Sequence, residues 1–266
     1  MSFAFLTLQE LSTGLKTKSF SPLELLDDTL DRLKLAEPVL NSFACIDEEG
    51  ARLSAEQSAK RQLADELISP IDGIPTSVKD LIAQKGLPQR FGSMSTENVP
   101  ISEDAPSVER LRKAGAVLLG KSTTSEFGCK GVGDSPLTGI TRNPWNTKLT
   151  PGGSSCGAAA MVAAGIVPYA LGTDGGGSIR IPAALTGIFG IKPQFARVPV
   201  YPTSATPTLA HVGPLTRVAS DAEIILRVIC GFDSRDPFSF PASDFLTPEV
   251  ICRPLRIAYS ATMGYA

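Results

Sequence analysis

The densest stretch of the chain reads Pro151-Gly152-Gly153-Ser154-Ser155-Cys156-Gly157, then an alanine-rich run, then Gly172-Thr173-Asp174-Gly175-Gly176-Gly177-Ser178-Ile179-Arg180. Residues 156–164 read as a helix and residues 168–172 as a short buried strand. A second helix start follows at Ile181-Pro182, where proline is tolerated in the first turn. Glycines beside each serine let the backbone turn sharply and approach a ligand closely. Consecutive amides in such a turn can bind an anion, and a helix start after Ser178 favours negative charge there. From spacing alone two readings stay open. The loop is either the seat of a nucleophile for acyl transfer or a tight turn that cradles a phosphate or nothing at all. A Walker-type loop would close on Gly-Lys-Ser/Thr, and this one closes on Gly177-Ser178-Ile179; a G-x-G-x-x-G pattern with an acidic ribose anchor is also missing.

Outward from this segment, short apolar runs at 74–78, 116–119 and 188–191 alternate with helical stretches at 107–114, 156–164 and 220–230, the last opened by a Ser220-x-x-Glu223 box. Strand and helix in alternation predict an α/β fold with a mixed, largely parallel central sheet covered by helices on both faces. The first 69 residues read differently, as an N-terminal helical segment packed on a core that runs from 70 to 266. Thr7-x-x-Glu10 and Ser21-x-x-Glu24 fit capping boxes. Leu23, Leu26, Leu30 and Leu33 recur at helical spacing, a strand is expected over 41–46, and a polar helix over 51–67.

Composition narrows the chemistry. The 266 residues are 42% hydrophobic and 20% charged with a formal charge of -2, which is ordinary for a soluble globular protein and gives no broad field for nucleic acid or an anionic membrane. Neither a signal-peptide pattern nor a membrane-length apolar run is present in the sequence. Five unpaired-looking cysteines (Cys45, Cys129, Cys156, Cys230, Cys252) suit reduced thiols in the cytoplasm. With a single histidine, His211, and no C-x-x-C or H-x-x-x-H pattern, neither a metal nor a cofactor is expected. A Ser-His-Asp hydrolase would depend on His211 alone, so any base is expected to be something other than imidazole.

Six segments, in order, resemble the amidase signature family: 72–80 with Lys79, 114–121, 125–128, 143–145, 150–193, and then 213–215. By position, the resemblance implies Ser178 as nucleophile, Ser154 as a bridging serine and Lys79 as base, with a cis Gly153–Ser154 peptide. It implies an oxyanion hole from the amides of Gly175, Gly176, Gly177 and Ser178. The physical logic needs no histidine, because burial lowers a lysine's pKa and neutral lysine can serve as base.

Around this trio, Asp174 and Arg180 are expected to pair and fix the loop, rather than to stand as separate surface charges. Ser155 is expected to hydrogen-bond within the same loop, and Asp80, facing away from Lys79 on a strand, to be structural. Cys156 is either a second nucleophile at a helix start or a small buried residue. Phe127 and Trp145 line the cleft or pack in the core. The resemblance implies an amidohydrolase for a small carboxamide or aryl/alkyl amide. Alternatives are the amidase-type subunit of a tRNA-dependent amidotransferase and a non-catalytic scaffold. The family's fold continues beyond its signature. Residues 255–259 read as a new buried strand, so the core is expected to be incomplete at its C-terminal end, finished by a completing chain or a homo-oligomer.

Overall fold

A computed structural model describes residues 2–241, 254, 256 and 258–264. In chain order the elements are α1 (Leu8–Lys16), α2 (Pro22–Leu40), β1 (Phe43–Ile46), α3 (Glu48–Leu63), β2 (Pro75–Lys79), α4 (Pro106–Lys113), β3 (Val117–Ser122), β4 (Asp134–Ser135), β5 (Gly139–Ile140), α5 (Cys156–Ala163), β6 (Tyr169–Asp174), α6 (Arg180–Thr186), β7 (Phe189–Gly190), β8 (His211–Thr216) and α7 (Ala219–Ile229).

Both predicted capping boxes form at the N-terminal end. Thr7 Oγ1 accepts from the Glu10 amide at 3.2 Å while Glu10 returns the bond to the Thr7 amide at 2.8 Å. Ser21 and Glu24 repeat the pattern at 3.2 and 2.7 Å. Each such cap contributes about 1 kcal/mol by satisfying amides that the first helical turn leaves without partners. The Ser220 box does not form. α7 starts at Ala219 with Val218 at its N-cap, so Ser220 lies inside the first turn and makes no side-chain cap.

The central sheet runs in the order β1-β3-β2-β6-β8-β7. It is mixed: the middle strands β3, β2 and β6 are parallel, and β1, β8 and β7 join antiparallel. Side chains alternate across it with the two-residue strand period. Leu118, Tyr169 and Leu171 face one core with α1, α4 and α7. Val117, Leu119 and Ala170 face the other, with α2, α3 and α5. β2 is buried along its whole length, as a parallel strand covered on both faces must be. The N-terminal segment is part of this same body. Its β1 is an edge strand of the sheet, and α2 divides its leucines, Leu25 toward one core and Leu26, Leu30 and Leu33 toward the other.

The sequence pattern does not announce β8, because Gly213-Pro214 interrupts any apolar run there. The strand pairs with β6 from Tyr169↔Thr216 to Asp174↔His211. Of the strand expected over 255–259, Leu255 and Ile257 lie outside the described residues. Arg256, Ala258 and Tyr259 are exposed and lie in no strand. Among the described residues, no helix is long and apolar enough to cross a membrane.

Candidate active site

The carboxyl ends of β2 and β6 open on a cleft of about 680 Å³, the place where α/β sheets commonly bind ligands. Lys79 is the last residue of β2 and Asp174 the last of β6. Ser154, Thr173, Asp174, Gly175, Gly176 and Ser178 line the cleft together.

Lys79 is wholly buried. Its Nζ lies 2.6 Å from Ser154 Oγ and 2.8 Å from Thr173 Oγ1. Burial pulls its pKa from an ordinary 10.5 down to about 7, with Cys156 and Asp174 pulling weakly the other way. Two hydroxyls solvate the amine without neutralising it, so the charged form stays disfavoured near neutral pH. Ser154 is buried, Ser178 half-buried and open to the cleft. The Gly153–Ser154 peptide is cis.

The loop that bears Ser178 is held from below. Asp174 is buried, and its carboxylate accepts from the amides of Gly177 at 2.8 Å, Ile179 at 3.1 Å and Arg180 at 3.3 Å. Arg180 adds a two-pronged ion pair at 3.0 and 2.8 Å. Burial works against ionisation of this carboxyl, but Arg180 and the backbone donors outweigh it and hold the pKa at about 2. The expected Asp174–Arg180 pair is therefore formed. Its consequence corrects one expectation: the Gly177 amide is already committed to Asp174 and is not free for an oxyanion. Asp commonly captures an amide a few residues ahead in a turn.

Ser155 bonds to the segment that carries Asp174 and Ser178. Its hydroxyl donates to the Thr173 carbonyl at 3.2 Å and accepts from the Thr173 amide at 3.3 Å. It thus ties the serine loop to the end of β6. A further bond from the Ser155 amide to the Ser178 carbonyl, 3.1 Å, joins the two serine segments directly. Thr173, which the sequence did not single out, is the residue that touches both Lys79 and Ser155.

Cys156 is the first residue of α5, buried, with its thiol donating to the Thr123 carbonyl at 3.3 Å, and it is absent from the cleft lining. The small-buried-residue reading holds. Asp80 is structural, as expected: buried, 3.8 Å from Lys121 Nζ, and accepting from the Arg90 and Gly92 amides at 3.2 Å each. His211 lines the cleft, but both ring nitrogens are engaged. Nδ1 lies 2.7 Å from the Leu209 carbonyl and 3.0 Å from the Asp174 carbonyl, and Nε2 lies 3.2 Å from Lys192 Nζ. A ring that donates from Nδ1 to carbonyls braces the end of β6. Phe127 lines the cleft; Trp145 neither lines it nor packs in the core, being 74% exposed with Nε1 donating to the Thr186 carbonyl at 2.7 Å. Cys45, Cys129, Cys156 and Cys230 are free thiols, and Cys252 lies outside the described residues. Among the described residues, no cluster of three or more His, Cys, Asp or Glu is placed to hold a metal ion.

A family model described as Amidase matches residues 24–266. The chain belongs to the amidase signature family. It is similar to a bacterial aryl acylamidase of that family, 35% identical with a TM-score of 0.83 over 90% of this chain and 50% of that one. It is also similar to the native peptide amidase from Stenotrophomonas maltophilia, 30% identical, TM-score 0.82, over 89% of this chain and 50% of that one. By sequence it is 43% identical over 245 residues to a subunit of the glutamyl-tRNA(Gln) amidotransferase of Roseiflexus castenholzii (strain DSM 13941 / HLO8), covering 92% of this chain and 49% of that protein. The chain spans about half the length of the curated relatives it matches.

Proposed function

We propose that this chain carries the catalytic centre of a serine amidohydrolase that acts on carboxamides or aryl/alkyl amides. The observation that carries the reading is Lys79, wholly buried with a pKa near 7 and its Nζ 2.6 Å from Ser154 Oγ. Neutral Lys79 takes the Ser154 proton as Ser154 takes the Ser178 proton. The Ser178 oxygen attacks the amide carbon, forming a C–O bond and an oxyanion. The amides of Gly175, Gly176 and Ser178 are the donors for that oxyanion, since Gly177 is spoken for. Loss of such a donor typically costs about 2.7–4 kcal/mol of transition-state stabilisation. Ser154 then returns the proton to the leaving nitrogen, the C–N bond breaks, and water cleaves the acyl-enzyme by the same relay.

A fluorophosphonate serine probe and a panel of amides with ammonia or amine release as readout test this directly. Ser178→Ala should lose both labelling and turnover. Labelling that persisted in Ser178→Ala, or that mapped to Cys156, would overturn the assignment.

A second reading rests on a specific observation, the 43% identity to one component of an amidotransferase. In it, the same centre would release ammonia from glutamine within a complex with partner chains. Turnover of glutamine but not of simple amides, and only with partner chains added, would favour it.

A further inference from the structure

One wall of the cleft is built in a way the proton relay does not require. Phe91 and Phe127 both line it, and both hold left-handed backbone conformations, φ 53° and 49°. Bulky side chains rarely adopt this region, and such outliers gather at ligand-binding places. Each phenylalanine is followed by a glycine that is also left-handed, Gly92 at φ 65° and Gly128 at φ 69°. The sequence thus makes two Phe-Gly corners of the same shape, and the fold sets them face to face. The Phe127 amide donates to the Phe91 carbonyl at 2.8 Å, and the rings stack with centroids 6.0 Å apart and planes 26° apart.

Both corners are locked. A Cβ on Gly92 would lie 2.8 Å from the Thr124 carbonyl oxygen, and one on Gly128 would lie 2.7 Å from Leu81 Cδ1 and 3.2 Å from Ser154 Oγ. Asp80 holds the first corner through the Arg90 and Gly92 amides. Ser93 Oγ donates to Glu126 Oε1 at 2.8 Å and so ties the first corner to the second. For all this support, Phe127 is 55% exposed. A stacked pair serving only the core would bury its second ring; here the fold holds it out at the cleft, one residue from the glycine that abuts Ser154.

We propose that Phe91 and Phe127 form an aryl-binding shelf, which seats the planar, apolar part of the substrate amide beside Ser154 and makes both rings specificity-determining residues. The inference rests on the amidohydrolase reading for the word substrate, and its physics is ring-on-ring contact, in offset-stacked or edge-to-face geometry. The aryl group can belong to the acyl side or to the leaving amine, and the rings would receive either.

Binding to Ser178→Ala separates this inference from the hydrolytic one, because no turnover is needed. Affinities for acetanilide, benzamide and acetamide are measured by NMR titration in that background and in Phe127→Ala, Phe127→Tyr and Phe91→Leu derivatives, with melting curves to verify folding. The ratio of aryl to acetamide affinity should fall about tenfold in Phe127→Ala, fall less in Phe91→Leu, and be kept in Phe127→Tyr. Acetanilide and benzamide together tell which side of the amide the shelf holds. An aryl preference indifferent to both rings in folded protein overturns the proposal, as does wild-type protein with no aryl preference. Aryl binding that depends on the rings in a protein that hydrolyses no amide would uphold the shelf and sink the hydrolytic reading.

Discussion

Two buried lysines stand on neighbouring strands, Lys79 on β2 and Lys121 on β3, with Lys121 in register with Val78. Both are fully buried, and burial lowers both, to about 7 and about 8. Their partners differ. Lys121 Nζ lies 3.8 Å from Asp80 and donates to the Ile82 carbonyl, deep in the wall. Among the described residues, the hydrogen-bond partners of Lys79 are the hydroxyls of Ser154 and Thr173, and these residues line the cleft. Burial alone therefore does not mark a base. A carboxylate beside an ammonium favours its charge and makes an anchor; two hydroxyls leave it free to gain and lose a proton.

Breaking the cleft lysine should have the largest effect. Lys79→Met should lower kcat by roughly 10²–10⁴-fold, the usual worth of general-base catalysis, with the melting temperature equal or higher because an unneutralised buried amine is gone. A variant that kept wild-type turnover would falsify the role of Lys79. Breaking the anchor should act mainly on stability. Lys121→Met strands the buried Asp80 and should cost up to about 3–5 kcal/mol in chemical denaturation, less in so far as burial already raises the Asp80 pKa. Adding Asp80→Asn should recover much of that loss. If Lys121→Met instead abolished turnover at unchanged stability, the two lysines would have to exchange roles.

Proton occupancy sharpens the comparison. If Lys79 is the base of the proposed relay, the rate should rise as pH passes through about 7 and then level off, because a base acts in its neutral form. Stability follows with a definite sign. Lys79 binds its proton less tightly folded than its ordinary 10.5 unfolded, so between about 7 and 10.5 the unfolded chain holds more protons. This group's contribution to stability therefore rises with pH across that window. Lys79→Met should flatten that slope, and urea melts at pH 6 and pH 9 would read it. The smallest effect is expected from Thr173→Val, which removes one of two hydroxyls from Lys79. About a tenfold loss in kcat with KM unchanged is expected, as for a group that acts through the base. A rise in KM alone would place Thr173 on the substrate instead.

What the sequence disclosed was mostly local. The Thr7 and Ser21 caps could be read because both partners of each bond lie within four residues. The same rule failed at Ser220, where the N-cap falls two residues sooner, on Val218 with its extended backbone. The helix and strand that flank Ser154 and Ser178 followed from apolar runs, and the assembly of Lys79 with Ser154 followed from resemblance rather than from spacing. What stayed hidden depends on contacts far apart in the chain. β8 gains its place through β6, against a Gly-Pro that argues for a break. Thr173 meets Lys79 only because β6 lies parallel beside β2. The loss of Gly177 as an oxyanion donor was the exception: an Asp followed by three glycines is a local signal for amide capture, and the sequence held it in plain view.

The carboxylate of Asp174 sets the acid tolerance of the turn that carries Ser178. Its folded pKa, about 2, lies below the ordinary 3.8, so its grip on the turn is whole above that ordinary value and fades only as pH falls through about 2. Lys79 loses its neutral form near 7, several units earlier. Between those two points the proposed relay would be parked: Lys79 is protonated and could not act as base, while the turn that carries Ser178 keeps its shape. An acid pulse to about pH 5 should therefore silence the chemistry without dismantling this turn, and a return to mild alkali should restart it with no lag for rebuilding the loop.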